Sequence, residues 1–371
     1  MSTLAPRAWV NGYVKRGEGP VTDTLTADYS LLHLIRNGYI PAEDGYALLS
    51  EAGLDDFVWQ VTWPEDFWTP DERLTDMLTN AQGYVIFVHG WTGNHLMWEQ
   101  LPGMVVTENR KLVAFSIDHN GFGQSSFTDH TPELDSCNPP AAMTTLQRWV
   151  DLIKIRRQPG EVSRKVVNFV GHSMGGATLF YLNPILWNFG EETRYSLAPA
   201  LLLDDEMYRA FFTTLGIGIG ILERFRSLDF VGNALKPTVV RALCEGASDY
   251  VKQLHSAQYS NTPRGITGAT FMAMGRLKNR EIAHSWDLFR VMLGHKDRLV
   301  GLTGMIDLLG KMEFPVANIR VVPGSHYMFS IGTESPANAF LHAQNRELVV
   351  RDVLRLHNEA LEMQKKGRKY G

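Results

Sequence analysis

The run Phe169-Val170-Gly171-His172-Ser173-Met174-Gly175-Gly176 constrains this chain more than any other stretch. It contains the G-x-S-x-G pattern of a nucleophile elbow, a serine on a sharp strand-to-helix turn. Val166 to Val170 before it is rich in β-branched and aromatic residues and predicts a strand. Ala177 to Leu182 after it predicts a buried helix. Gly171 and Gly175 flank the serine where a tight turn leaves no room for a Cβ. The Met174 N–H would stand at the helix N-terminus, where backbone donors lack intrahelical partners and can receive an oxyanion. On this reading Ser173 is a nucleophile. The plainer alternative is a glycine-rich turn with an incidental serine, and partner residues elsewhere in the chain must decide between them.

The 371 residues carry a net charge of −4, with 44% hydrophobic and 20% charged side chains. That is ordinary globular composition, and it carries no basic footprint for nucleic acid. Cys137 and Cys244 are too few for a disulfide scaffold and point to plain thiols in a reducing compartment. The first residues lack the apolar core of a secretory signal. No window approaches the roughly 18 apolar residues of a membrane span; the nearest, Phe211 to Ile221, is short and interrupted by glycine. The expected location is the cytoplasm.

From about residue 80, strand-like runs alternate with helix-like stretches. The runs are Tyr84–Val88, Leu112–Ile117, Val166–Val170, Ala200–Leu203, Leu288–Leu293 and Ile319–Val322. This alternation predicts a mostly parallel sheet with helices on both faces. In such sheets ligands bind beyond the carboxyl ends of the strands. The alternation lapses between Asp205 and Ser285, where amphipathic helical patterns replace strands. The expected organisation is an N-terminal extension packing on the core (1–79), a first core part (80–204), a helical cap or lid (205–285) and a second core part (286–371). Peripheral helices without substrate contact are the alternative for the third segment. Within the extension, Phe57 to Trp63 alternates and predicts an early antiparallel strand.

The strand ends supply candidate partners for Ser173. After Val88 comes His89-Gly90-Trp91, whose Trp91 N–H is a candidate second oxyanion donor beside Met174. After Leu293 comes Gly294-His295-Lys296-Asp297, and after Val322 comes Pro323-Gly324-Ser325-His326. The order Ser173, Asp297, His326 suits a triad in which histidine moves the serine proton and aspartate orients the imidazole. Asp204 or Asp205, after another run, could replace Asp297 as the acid. Of the twelve histidines, His172 and His89 read as packing or support. His119, His130, Asp118 and Asp129 show no zinc-ligand spacing. Asp118 to Ser125 reads as a loop rimming the site, and it lacks the dinucleotide-binding glycine spacing.

Four motifs in order, His89-Gly90-Trp91, Asp118 through Ser125, Gly171 through Gly176, and the Asp297 and His326 loops, resemble the α/β-hydrolase superfamily over about residues 83–347, the cap excluded. The resemblance implies an α/β fold with an eight-stranded, mostly parallel sheet, a cap after the sixth strand and no cofactor. It also implies Ser173, Asp297 and His326 as the triad, with Trp91 and Met174 as oxyanion donors. Serine at the elbow looks like carboxylesterases, lipases and lactonases. It disfavours the branches that place aspartate or cysteine there.

The expected activity is hydrolysis of a small, fairly apolar ester or lactone through an acyl-enzyme. The Phe211 to Ile221 segment and the aromatics Trp91, Trp98 and Phe122 near the expected mouth motivate an apolar substrate. The rivals are carbon–carbon or amide hydrolysis with the same residues, and a catalytically silent hydrolase-fold protein that binds a small molecule.

Overall fold

The structure is a computed structural model that describes residues 24–64, 81–154, 165–183, 191–201, 206–224, 236–237, 240–241, 243–277, 282, 286–331 and 336–367. Eight strands form one sheet: β1 (Thr24–Ser30), β2 (Val58–Pro64), β3 (Gly83–Val88), β4 (Leu112–Ile117), β5 (Val166–His172), β6 (Glu192–Leu197), β7 (Phe289–Gly294) and β8 (Ile319–Val322). Their order across the sheet is β1-β2-β4-β3-β5-β6-β7-β8. β1 and β2 run antiparallel to their neighbours and the rest are parallel. Residues 24–64 thus contribute two strands to the sheet itself. They also contribute α1 (Leu31–Arg36) and α2 (Ala42–Ala52).

Every residue of β3, β4 and β5 is buried. Helices cover both faces, so these strands read as unbroken apolar runs rather than alternating ones. The helices of the parallel half are α3 (Leu101–Glu108), α4 (Pro139–Lys154), α5 (Met174–Thr178), α9 (Leu302–Lys311) and α10 (Pro336–Gly367). Between β6 and β7 lie α6 (Glu206–Arg224), α7 (Asp249–Asn261) and α8 (Arg264–Met274), with no strand among the described residues. Of these, α6 packs along α8.

One expected strand is displaced. The fourth parallel strand is β6, Glu192–Leu197, rather than Ala200–Leu203. Ala200 and Leu201 fall beyond its end, and residues 202–205, which include Asp204 and Asp205, lie outside the described residues. The reason is chemical. β6 reads Glu-Thr-Arg-Tyr-Ser-Leu, yet Thr193, Arg194, Tyr195 and Ser196 are all buried. Partners inside the protein take up the larger polar groups: Thr193 Oγ1 donates to Asn168 Oδ1 (2.8 Å) and Tyr195 OH to Asp352 Oδ2 (3.0 Å). The Arg194 guanidinium lies 4.5 Å from the centre of the Phe289 ring. Its partners come from distant parts of the chain, so local polarity concealed a central strand.

The antiparallel edge is locked to the helices by a cluster of rings. Trp149 of α4 meets Trp59 at 5.1 Å, Phe115 at 5.5 Å and Phe57 at 5.7 Å. Trp59 and Trp149 are fully buried. Deleting such a side chain removes its transfer energy and leaves a cavity. Trp149→Ala is therefore expected to cost about 3–5 kcal/mol in urea unfolding. A loss below about 1 kcal/mol would show that this joint does not hold the edge of the sheet.

Candidate active site

The carboxyl ends of β3, β5, β7 and β8 bring the expected site residues to one edge of the sheet. Ser173 ends β5 and precedes α5, with φ +54° and ψ −117°, a strained backbone for a residue with a side chain. The strain is held from several sides. Ser173 N donates to Leu197 O (3.0 Å), and Ser173 O accepts from Ala177 N and Ala200 N (2.9 Å each). Two glycines permit the turn. A Cβ on Gly171 would strike the Gly175 carbonyl, and one on Gly175 would strike the Val88 and His89 carbonyls. The elbow is thereby pressed directly onto the end of β3.

The same closeness continues into the loop after β3. A Cβ on Gly90 would lie 2.8 Å from Ser173 Cβ, so the Gly90–Trp91 peptide sits against the serine. His89 sets the orientation of that peptide. His119 N donates to His89 Nε2 (2.8 Å), which leaves the ring hydrogen on Nδ1, 2.6 Å from Gly90 O. A trans peptide points its N–H opposite its carbonyl, so the Trp91 N–H is turned away from His89. Neither the Trp91 N–H nor the Met174 N–H donates to an acceptor among the described residues. Burial, above all, pushes the His89 pKa down to about 4 and keeps the ring neutral for this role.

Asp297 and His326 meet in the loops after β7 and β8. His326 Nδ1 donates to Asp297 Oδ2 at 2.8 Å, and both side chains are almost fully buried. The other carboxylate oxygen accepts from Leu299 N (2.9 Å) and Val300 N (3.1 Å). Burial opposes the charge on Asp297, but the facing imidazole and these two N–H groups outweigh it and hold the carboxyl below the usual range. The loops are stitched to each other by His295 N to Val322 O and Lys296 N to Gly324 O, both 2.9 Å. With Nδ1 engaged, Nε2 of His326 is the nitrogen left to accept a proton. His172 links this pair to the elbow: its Nε2 donates to His326 O (3.1 Å), and the two rings lie 4.6 Å apart. No hydrogen bond joins Ser173 Oγ to His326 among the described residues.

The loosely grouped His119, His130, Asp118 and Asp129 serve separate purposes. Asp118 Oδ1 accepts from His95 N (2.7 Å) and His95 Nδ1 (2.9 Å), and Oδ2 accepts from Gln124 N (2.8 Å). His119 Nε2 lies 3.2 Å from Thr178 Oγ1 on α5. Asp129 is exposed and bonds Thr131. The buried His95–Asp118 pair pins the loop after β3 to the end of β4. Sequence spacing gave no sign of it, because the two residues share no local pattern.

Of the aromatics expected near the mouth, Trp98 and Phe122 are instead fully buried core residues. Trp98 stacks on Phe329 at 5.5 Å and meets Phe87 at 5.1 Å. The side chains that do accompany Trp91 come from the segment between β6 and β7: Phe271 at 4.2 Å and Tyr259 at 6.3 Å, with Phe212 stacked on Phe271 at 5.7 Å. A cavity of about 1340 Å³ lies elsewhere, between α10 and the start of β7, lined by residues such as Trp286, Phe289, Leu354 and Met363.

Several histidines around the site are buried and neutral. Burial pushes His255 to about 3, and it holds His119 and His172 well below the ordinary value. Together with His89, these groups take up protons in the unfolded chain near pH 6.5 but resist them in the folded one. Their stabilisation is therefore complete well above pH 6.5 and is lost as pH falls below it, because the unfolded chain takes up protons that the folded one resists. His95 works in the opposite sense. Burial lowers its pKa, but Asp118 outweighs that and raises it, so its contribution is complete in acid and fades as pH rises. The four neutral histidines outnumber it. Unfolding midpoints in urea are expected to fall steeply between pH 6.5 and 4, and a flat profile there would contradict the neutral assignments.

The pattern of the alpha/beta hydrolase family matches residues 85–343. No curated protein sequence matches the chain. Among solved structures, an esterase from Exiguobacterium antarcticum is similar with a TM-score of 0.53 at 15% identity, over 81% of this chain and 96% of that one. An enol-lactonase from Burkholderia xenovorans has a TM-score of 0.52 at 14% identity, over 81% and 97%. A bromoperoxidase from Bacillus anthracis has a TM-score of 0.53 at 14% identity, over 80% and 95%. At these identities the likeness speaks to the fold alone. With the family pattern spanning most of the sheet and every strand end that carries the candidate site, the chain belongs to the alpha/beta hydrolase family.

Proposed function

We propose that this hydrolase cleaves a carboxylic ester or lactone through an acyl-enzyme on Ser173, with His326 as general base and acid and Asp297 as its orienting partner. The buried Asp297–His326 hydrogen bond, set beside a serine in strained backbone geometry, carries this reading. Ser173 Oγ attacks the acyl carbon and gives its proton to His326 Nε2. The carbonyl oxygen becomes an oxyanion and takes hydrogen bonds from the Trp91 and Met174 N–H groups. The tetrahedral adduct then expels the alkoxide, which receives the proton from His326. Water repeats the sequence on the acyl-enzyme: His326 takes its proton, the acid is released and Ser173 regains its hydrogen.

The segment between β6 and β7 acts as a cap in this reading. It contributes Phe271, Tyr259 and Phe212 beside Trp91, and these rings favour an apolar acyl or alcohol group. The esterase and enol-lactonase among the structural neighbours accord with ester and lactone chemistry.

A chain-length series of p-nitrophenyl esters tests the assignment. Ser173→Ala is expected to lose activity by about 10³-fold or more and to stop reacting with a fluorophosphonate probe. Full activity in Ser173→Ala would remove the serine from the chemistry. A wild-type protein that binds small esters but neither turns them over nor reacts with the probe would favour a silent binding protein. Asp297→Asn is expected to lower kcat by about 10⁴-fold, with a much smaller change in KM, because the amide no longer fixes the imidazole tautomer. An Asp297→Asn variant with kcat near wild type would transfer the acid's role to another carboxylate.

A further inference from the structure

Helix α7 belongs to the segment between β6 and β7, yet its buried polar contacts run down into the two loops that carry the proposed catalytic groups. At its start, N-cap Ser248 accepts from Val251 N (3.1 Å) and donates to Glu99 Oε1 (2.7 Å). The other Glu99 oxygen accepts from Ser330 Oγ (2.9 Å) and Ile331 N (2.8 Å), just beyond His326. About two turns further along α7 comes His255, 1% exposed. Its Nδ1 lies 2.9 Å from Thr92 Oγ1, and its Nε2 lies 2.5 Å from Tyr327 OH.

Both partners are immediate chain neighbours of the proposed machinery. Thr92 follows Trp91, the oxyanion donor, and has φ +53°. Tyr327 follows His326, and its ring lies 4.4 Å from that of His172, the residue before Ser173. A neutral imidazole offers one N–H and one lone pair, and each flanking hydroxyl can donate or accept. Both contacts are thus satisfied in either tautomer. Burial, then the nearby His89 and His326, keep the ring neutral.

We propose that His255 is a positioning residue: by bridging Thr92 and Tyr327 it fixes the oxyanion loop and the base-bearing loop at one separation, so that both address the same tetrahedral centre on Ser173. The proposal rests on the serine-hydrolase reading above. His255 touches neither substrate nor reacting atoms and acts through its two partners. Transition-state stabilisation depends on donors and base being correct together, and a displacement on the order of 1 Å costs about 10²-fold. The Glu99 clasp holds the start of α7 on the same two loops, so the bridging ring is offered from a fixed helix. Nothing in the local sequence of α7, Asp-Tyr-Val-Lys-Gln-Leu-His, marks this histidine.

The test compares wild type with His255→Ala, His255→Gln, Thr92→Val and Tyr327→Phe. Readouts are p-nitrophenyl acetate kinetics, the rate of fluorophosphonate labelling of Ser173 and a thermal melt. His255→Ala is expected to lower kcat and the labelling rate by about tenfold or more, with KM changed by no more than about twofold. His255→Gln, which keeps one donor and one acceptor, recovers part of that loss. Thr92→Val and Tyr327→Phe, each removing one hydroxyl, lower kcat by about threefold or more and are not additive with His255→Ala. If His255→Ala does not fold, these two variants decide. A folded His255→Ala with kcat within about twofold of wild type, or with a change in KM alone, overturns the proposal. So do Thr92→Val and Tyr327→Phe that both leave kcat within about twofold. Wild-type protein inert to both ester and probe overturns the hydrolase reading, and this proposal falls with it.

Discussion

The contact on which the site depends is the absence of side chains between the elbow and the end of β3. Gly175 lies directly on the Val88 and His89 carbonyls, Gly171 on the Gly175 carbonyl, and Gly90 on Ser173 itself. Three backbones are thereby packed without intervening carbon. β3 and β5 are adjacent and in register from Gly83 opposite Val166 to Val88 opposite Gly171. That register brings the Gly90–Trp91 peptide and the Met174 N–H to the same height above the sheet. Two backbone donors can then converge on one point only if no Cβ holds the loops apart. The strained φ of Ser173 follows from the same packing, because the surrounding hydrogen bonds over-determine its conformation.

A set of buried polar side chains keeps these loops from drifting. An unpaired buried donor or acceptor costs about 1–3 kcal/mol, so each satisfied contact also penalises any alternative loop position that would break it. His89 orients the Gly90 carbonyl, His95 joins Asp118, His172 reaches the His326 carbonyl, and Glu99 gathers Ser248, Ser330 and Ile331. The protonation states differ by partner. His89 and His172 meet carbonyls or N–H groups and are held neutral by burial, whereas His95 faces a carboxylate that raises its pKa. The same residue type thus serves as a neutral spacer in one place and as the partner of a carboxylate that favours its protonation in another.

The sheet and the triad candidates were legible because they depend on local pattern. Buried parallel strands are apolar runs, and Ser173, Asp297 and His326 each follow one. β6 was not legible: Arg194 and Tyr195 are satisfied by Leu179, Phe289 and Asp352, none of them near in sequence. The aromatics divided for a related reason. Trp98 and Phe122 are aromatic like Trp91 and also follow a strand, yet their rings point into the core, a choice made by neighbours on other elements. His95, Glu99 and His255 were missed altogether. Each acts across a long sequence separation, 23 residues for His95 to Asp118 and 163 for His255 to Thr92. No spacing rule reaches that far.

On the proposed reading the inserted helices bear on chemistry as well as on substrate choice. They leave the sheet at the carboxyl end of β6, the edge where the strand ends gather, and the chain re-enters at the amino end of the parallel strand β7, on the opposite edge. Within it the contacts separate into two kinds. α6 and α8 pack against each other, and α8 supplies Phe271 to Trp91, an apolar contact without directional demands. α7 is held by directional hydrogen bonds to Glu99, Thr92 and Tyr327, which tolerate little displacement. On the proposed reading α7 carries both kinds of contact, its Tyr259 ring beside Trp91 and its His255 bridge between the two loops, whereas α8 carries the apolar kind through Phe271.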